Sequence, residues 1–341
     1  MYNSTSEEQT QSPPCNLEEE LIQSIPFVSV IVPVRNGSKT IRACLDSILN
    51  QDYPPDQFKI IVVDNDSTDN TMDIVSSYAG ITVLPQTEVH SSYATRNVGV
   101  NYAEGDVIVF TDADCLPEPT WLSKLISPFS DPHVMAVGGM VLDSQEVNLV
   151  EKFQKEVSLL SKYHKTLHQF LKPLITANVA FRKNVLDEFN CFNANLYTGS
   201  DIDLAWRVQL KYGDCVRYVQ DAVVHHQHRS NLKGLFRQYR RHGFGEIFLD
   251  AIYHRYPGYP RPLRHQIRRV GQQVWALITY LRSFVYRLLK YPFHRDRFYL
   301  LRPLFWFVAE SGNVWGKLQG LWVTRGLRSN PATRQWQDPG G

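Results

Sequence analysis

Continuous apolar runs alternating with amphipathic stretches fill the first third of the chain. Residues 28–34 (VSVIVPV) and 58–63 (FKIIVV) are rich in β-branched side chains and have no polar alternation. That pattern predicts strands buried on both faces. ITVLP from Ile81 and DVIVF ending at Phe110 repeat it. Between the strands lie helical stretches: IRACLDSIL with Ser38 as its cap, DNTMDIVSSYA with Ser67 or Thr68, and YATRNVGVNYA begun by Ser91 or Ser92. A β-α-β-α-β-α-β order over the first 112 residues predicts a parallel sheet covered by helices. Ligands of such sheets bind beyond the carboxyl ends of the strands. Asp64, Asp66 and Asp112 all stand there.

Further along, 148–170 reads as a long helix and 174–181 (LITANVAF) as a strand. Ser200 caps a helix that stops at Gly213, short strands follow near 216–219 and 222–225, and 231–243 is a basic helix. Beyond 260 come basic, aromatic-rich helical segments broken at Pro292 and Pro303. The run 274–289 (VWALITYLRSFVYRLL) is too short to span a bilayer and is interrupted by Arg282 and Arg287. It fits an interfacial helix and an ordinary domain helix with a basic face equally well. The expected organisation is a polar mobile tail over 1–24, a domain over 25–246 in two parts (25–115 and 116–246), a basic helical extension over 247–328, and a disordered tail over 329–341.

Charge sharpens this division. Residues 1–224 hold 16 Lys+Arg against 29 Asp+Glu, whereas 225–302 hold 16 against 3. The second segment calls for an anionic partner, and phosphates of a substrate, a lipid headgroup or nucleic acid would all serve. Hydrophobic residues make up 43% of the 341, enough for a packed core, so global disorder is excluded. Five cysteines without a CxxC pair argue against a disulfide framework or zinc ribbon and for a reducing compartment. The N-terminus has no basic-then-apolar signal pattern, so a cytoplasmic location is expected, with a peripheral site on the cytoplasmic face of a membrane.

Six motifs carry candidate chemistry. In FTDADC, Asp112 and Asp114 are two apart and can enter one pocket. Like charges so close suit a hard divalent cation, Mg²⁺ or Mn²⁺, and equally a solvated acidic turn. In DNDSTD, Asp64 and Asp66 offer acceptors for a base N–H, while Asp, Ser and Thr there also suit helix capping. Arg96 in TRNVG lies early in a helix, where guanidinium and dipole can face an anion, or it is a surface arginine. Asp201 in GSDIDLAWR could act as a general base or could complement a helix dipole. Of the histidines in HHQH, one could complete a metal shell begun by carboxylates. Gln238 and Arg241 share a helix face and could clamp a diphosphate or a sugar chain, or belong to a solvated basic face.

In this order, PVRNG, VVDNDSTDNT, TRNVG, FTDAD, GSDIDLAWR and a histidine near 226 resemble the family 2 glycosyltransferases, over about residues 27–246. The resemblance implies the nucleotide-sugar-binding α/β fold, a mainly parallel sheet flanked by helices. It implies that Pro33, Arg35, Asn36, Asp64, Asp66, Arg96 and Asp112 meet the nucleotide sugar, joined by Gln238 and Arg241. Asp112, Asp114 and His226 would hold the metal, and Asp201 would be the catalytic base. The implied donor is a nucleotide-diphosphate sugar, a uridine one first, and the acceptor a glycan or lipid-linked hydroxyl in polysaccharide, glycolipid or cell-envelope synthesis, with inversion at the anomeric carbon. A membrane surface would meet residues 255–302, and no nucleic acid is expected. Two departures stand out: Ser200 where the family usually has an acid, and Asn65-Asp66 where it has an acid and a glycine.

Other classes fit worse. A dinucleotide-binding dehydrogenase needs GxGxxG after the first strand, and PVRNG is there instead. GNVWGK at Gly312 is one residue short of a P-loop. The remaining alternative is a noncatalytic nucleotide-sugar-binding or scaffold protein of the same fold.

Overall fold

The computed structural model describes residues 25–86, 91–144, 147–157, 170–194, 196, 198–227, 230–259 and 263–329. The tail expectations for 1–24 and 330–341, and the second half of the 148–170 helix, lie outside these residues.

The apolar runs form the expected strands: β1 (Val28–Val34), β2 (Phe58–Asp64), β3 (Ile81–Pro85) and β4 (Val107–Thr111). They pair in parallel in the order β3-β2-β1-β4. α1 (Ile41–Leu49), α2 (Thr71–Ser76) and α3 (Ser92–Tyr102) connect them. The period of two along each strand splits the core. Val30 and Val32 join Ile41, Leu45, Trp121 and Leu125 on one side of the sheet. Ile31, Ile61 and Val63 join Tyr93, Val100, Leu204 and Val208 on the other. Both faces are therefore dry, which is why these strands show no polar alternation.

After β4 the chain crosses to the far edge as β5 (Cys115–Pro117), then forms α4 (Trp121–Ile126), a 3₁₀ turn (Ser127–Ser130), β6 (Ala136–Asp143) and α5 (Leu149–Val157). β7 (Asn178–Arg182), α6 (Lys183–Glu188), α7 (Ser200–Tyr212) and β8 (Val216–His226) follow. One sheet results, in the order β3-β2-β1-β4-β7-β6-β8-β5. β7 runs antiparallel to β4 and β6, and β5 antiparallel to β8, so the sheet is mixed in its second half.

Several local expectations are corrected. The strand expected over 174–181 begins only at Asn178, because Thr176 and Ala177 turn. The two short strands near 216–219 and 222–225 are one, β8, whose pairing with β6 jumps from Val219 to Val223. Ser38 caps nothing: α1 starts at Ile41 behind Thr40. Ser67 and Thr68 do not cap α2; the Ser67 hydroxyl and the Thr68 amide and hydroxyl bond to Asn36 in the loop after β1, and the Ser67 amide donates to Asp64. Asp69 accepts the Thr71 N–H instead, and that hydroxyl with Ser38 lowers its pKa to about 2. Ser200 is the first residue of α7, and Gly199 at φ 85° is the cap. Ser91 caps α3 as expected, accepting from the Tyr93 N–H.

The C-terminal part is helical: α8 (Leu232–Tyr253), α9 (Leu263–His294) and α10 (Arg297–Ser329). The division expected at 246 falls inside α8. Pro292 and Pro303 do not break the helices; the break is at Arg295–Asp296, and Pro303 is accommodated within α10. GNVWGK, the near P-loop, is a helix contact. Gly312, Gly316 and Gly320 recur every fourth residue on α10 and let it approach α8. A Cβ at Gly316 would lie 1.9 Å from the Arg240 carbonyl oxygen. Beside this seam Lys317, 1% exposed, pairs with Glu246 at 3.0 Å and donates to the Gln273 side-chain oxygen of α9 at 3.1 Å.

Candidate active site

The carboxyl ends of β1, β2 and β4 form one rim, because β1 lies between the other two. Val34 sits opposite Asp64 in the β1–β2 ladder. The two loops beyond them are stitched together. Asn36, at φ 52°, accepts the Thr68 N–H at 2.7 Å and donates its own N–H to the Ser67 hydroxyl at 2.9 Å. Asn tolerates this left-handed backbone better than most residues do. Gly37 N–H adds a bond to the Thr71 hydroxyl at 2.9 Å. This lacing spends Asn36 on shaping the pocket. Pro33 is in β1 at the rim, and Arg35 points outward, exposed.

Asp64 ends β2. One of its oxygens accepts the Ser67 N–H at 3.2 Å, and Oδ1 is buried with no hydrogen-bond partner among the described residues. A buried carboxylate oxygen left unpaired loses its hydration, so a donor from a ligand would relieve it. Asp66, by contrast, is exposed at φ 61°.

Asp112 and Asp114 lie where the chain leaves β4 for β5. Their ligand atoms and the Cys115 sulfur lie within 4.8 Å of one another. Cys115 is fully buried, and burial with both carboxylates nearby raises its thiol pKa well above the ordinary value, so it is no partner for a hard cation. Asp112 forms an ion pair with Arg96, which is 3% exposed and also donates to the Ser92 carbonyl at 3.1 Å. Arg96 Nε is buried without a partner among the described residues.

His226 arrives from the other end of the sheet. In the β5–β8 ladder it stands opposite Cys115, and the Gln227 N–H donates to the Asp114 carbonyl at 2.9 Å. Its Nε2 lies 3.6 Å from Asp114 Oδ1. The adjacent His225 turns to the opposite face and meets Glu118 at 3.0 Å, as strand alternation requires. His228 lies outside the described residues. The two aspartates offer the oxygen donors that Mg²⁺ or Mn²⁺ prefers, and the His226 imidazole stands beside Asp114 without belonging to the cluster of ligand atoms that lie within 4.8 Å of one another.

Asp201 opens α7. Its Oδ1 accepts from the Tyr93 hydroxyl at 3.0 Å and from the Ile202 N–H at 3.0 Å, and Oδ2 accepts the Thr176 N–H at 3.2 Å. Burial raises its pKa above the ordinary carboxylate value, opposed by the Thr176 N–H, Arg96 and the Tyr93 hydroxyl. A raised carboxylate pKa suits a proton acceptor. Tyr93 and Thr176 escaped the sequence reading; a tyrosine one turn before Arg96 carries no signal of its own. Tyr93 also receives the Gly199 N–H at 3.0 Å and lies beside Arg96, whose guanidinium is 5.8 Å from its ring centre. It therefore links the base to the Arg96–Asp112 pair. The Ser200 hydroxyl, at the family's acidic position, is wholly buried and without a partner among the described residues.

Gln238 and Arg241 are on α8. Gln238 Oε1 is buried without a hydrogen-bond partner among the described residues, and Arg241 is exposed. None of the hydrogen bonds given above reaches either residue.

A parallel half, with paired aspartates where it crosses into a mixed half, gives the α/β fold that solved glycosyltransferases share. The structure of a mannosyltransferase from Pyrobaculum calidifontis, solved with GDP-Man and Mn²⁺, shares this fold at a TM-score of 0.59 and 22% identity, covering 88% of each chain. Glycosyltransferase AglE of Haloferax volcanii is 29% identical over 276 residues, 74% of this chain and 89% of the relative. A dolichyl N-acetyl-alpha-D-glucosaminyl phosphate 3-beta-D-2,3-diacetamido-2,3-dideoxy-beta-D-glucuronosyltransferase of Methanococcus voltae is 25% identical over 228 residues, 62% of this chain and 70% of the relative. Residues 29–189 match the model described as glycosyl transferase family 2. Over that stretch the sequence is that of glycosyl transferase family 2, and the relatives it matches are named glycosyltransferases. The matched stretch contains Asp64, Arg96, Asp112 and Asp114, whereas Asp201 and His226 lie beyond it.

Proposed function

We propose that this enzyme transfers a sugar, with inversion and with the help of a divalent cation, from a nucleotide-diphosphate sugar to a hydroxyl of a lipid-linked or cell-envelope glycan. The observation that carries this reading is the meeting of Asp114 and His226, 112 residues apart in sequence, beside an Asp112 held by Arg96, with Asp201 fixed through Tyr93 on the helix of that same arginine. Relatives that act in glycan assembly support the acceptor class, and the Methanococcus voltae relative, by its name, acts on a dolichyl-phosphate-linked sugar.

Each residue then has a task. The unpartnered Asp64 oxygen accepts an N–H of the base. Asn36, with Ser67 and Thr68, holds the shape of that pocket, Pro33 and Arg35 stand at its mouth, and Asp66 lies at its exposed edge. Asp112, Asp114 and His226 would hold Mg²⁺ or Mn²⁺, which supplies positive charge against the departing diphosphate. Arg96 contributes fixed charge to the same end. Gln238 and Arg241 are candidates for the diphosphate or acceptor, Gln238 having an oxygen in need of a donor.

Asp201 takes the proton of the acceptor hydroxyl. As the new O–C1 bond forms, the bond from C1 to the phosphate oxygen breaks, and the nucleoside diphosphate leaves with the electron pair. One base and one displacement invert the anomeric carbon. General base catalysis is typically worth about 10²–10⁴-fold. Asp201→Asn is therefore expected to retain nucleotide-sugar binding, read by thermal shift with Mn²⁺, and to lose transfer. Unchanged turnover in that variant would refute the assignment. UDP- and GDP-sugars both belong in the screen, since the Pyrobaculum fold neighbour was solved with GDP-Man.

A further inference from the structure

The strongest feature outside the site is on α9. Its side chains at 278, 281, 285 and 289 recur at helical spacing on one face, and they are left in solvent: Ile278 is 56%, Leu281 51%, Val285 49% and Leu289 73% exposed. Trp275, 68% exposed, and Tyr286, 59% exposed, flank this stripe on one side. At 100° per residue, the exposed Arg268, Arg282 and Lys290 fall along that same flank. α9 contains six Lys or Arg and no Asp or Glu. Its other side packs on α10, where Tyr280 stacks on Trp306 at 5.9 Å. A contiguous exposed apolar face this long marks an interaction site.

We infer that this face of α9 lies in the headgroup layer of an anionic lipid surface, with the aliphatic stripe at the acyl boundary and the basic flank on the lipid phosphates. Charge decides between occupants. A second copy of the chain would set the same cations against one another, whereas an anionic bilayer neutralises them. The acidic N-terminal stretch 1–20 is polar and has little to set against Trp275 or Leu289. Tryptophan and tyrosine beside a basic flank suit the wet side of a membrane interface. Among the described residues no helix is long and apolar enough to cross a membrane, so the contact is made along the helix. This inference stands apart from the transfer chemistry, and its test needs neither donor nor acceptor.

The test is co-sedimentation of the full chain with phosphatidylcholine vesicles, with and without a minority of phosphatidylglycerol, at low and high ionic strength. The wild type is expected to pellet with the phosphatidylglycerol vesicles and to be released partly by salt. The double variant Ile278→Asp, Leu289→Asp is expected to lose about tenfold or more in partitioning. Arg282→Gln should weaken only the salt-sensitive part. Melting temperature and nucleotide binding should be unchanged in both variants, because these side chains are exposed and lie on none of the elements that carry the nucleotide pocket. Equal pelleting of wild type and double variant would overturn the inference. So would a failure to pellet combined with a dimer in sedimentation velocity that the double variant dissolves, which would assign the face to self-association.

Discussion

Replacing Tyr93 by Phe removes one hydroxyl and leaves the ring in its packing against Phe192, 5.7 Å away. That hydroxyl donates to Asp201 Oδ1 and accepts from the Gly199 N–H, both at 3.0 Å. The first bond stabilises the ionised carboxylate and so opposes the rise that burial imposes on its pKa. Without it the pKa rises further. A general base acts ionised, so the ascending limb of the pH–kcat profile should move to higher pH. A hydrogen bond to a charged group is worth about 1.5–3 kcal/mol, or roughly 10–100-fold in rate on the acid side of the limb. Activity should recover as pH rises past it. The second lost bond leaves a buried N–H without its partner and should lower stability by about 1–3 kcal/mol, visible as a lower melting temperature. The assay is kcat against pH for Tyr93→Phe and wild type at saturating donor. A loss of the same factor at every pH, with the limb unmoved, would refute the idea that Tyr93 acts through Asp201 and leave it a purely structural residue.

Three further variants test other parts of the structure. Asp114→Asn should weaken Mn²⁺-dependent nucleotide binding, read by calorimetry with and without the metal, and cut transfer by about 10²-fold or more, since an ion of this kind is worth several kcal/mol of charge stabilisation. Gly316→Ala drives a Cβ to 1.9 Å from a backbone oxygen of α8 and should cost about 1–3 kcal/mol in thermal melts. Gly271→Ala on α9, where nothing lies within 4 Å, should instead gain up to about 1 kcal/mol of helix propensity.

The strands β1, β2 and β4 were legible because burial on both faces forces apolar runs, a local signature, whereas the edge strand β3 is apolar yet only partly covered. Helix starts were less so. Ser38, Ser67 and Thr68 have the side chains of caps, but loops from separate strands compete for them, and Asn36 and Asp69 took the bonds. Strand limits in the second half were blurred for a related reason: β8 is long, and its irregular middle reads as a gap. The run 274–289 reads in sequence equally as an interfacial or an ordinary helix, and exposure of the stripe at 278, 281, 285 and 289 is what the third dimension adds.

By itself the sequence determined the parallel half-sheet, the rim on which Asp64 and Asp112 stand, and the kind of chemistry that paired aspartates call for. It did so through period-two burial and short spacings, which are properties of neighbouring residues. Only the tertiary structure decided which distant groups complete the site. Antiparallel pairing of β5 with β8 sets His226 across from Cys115 and so beside Asp114. Packing of α3 near the start of α7 sets Tyr93 on Asp201. Neither contact leaves a mark on the residues in between, because each is fixed by sheet register and helix docking.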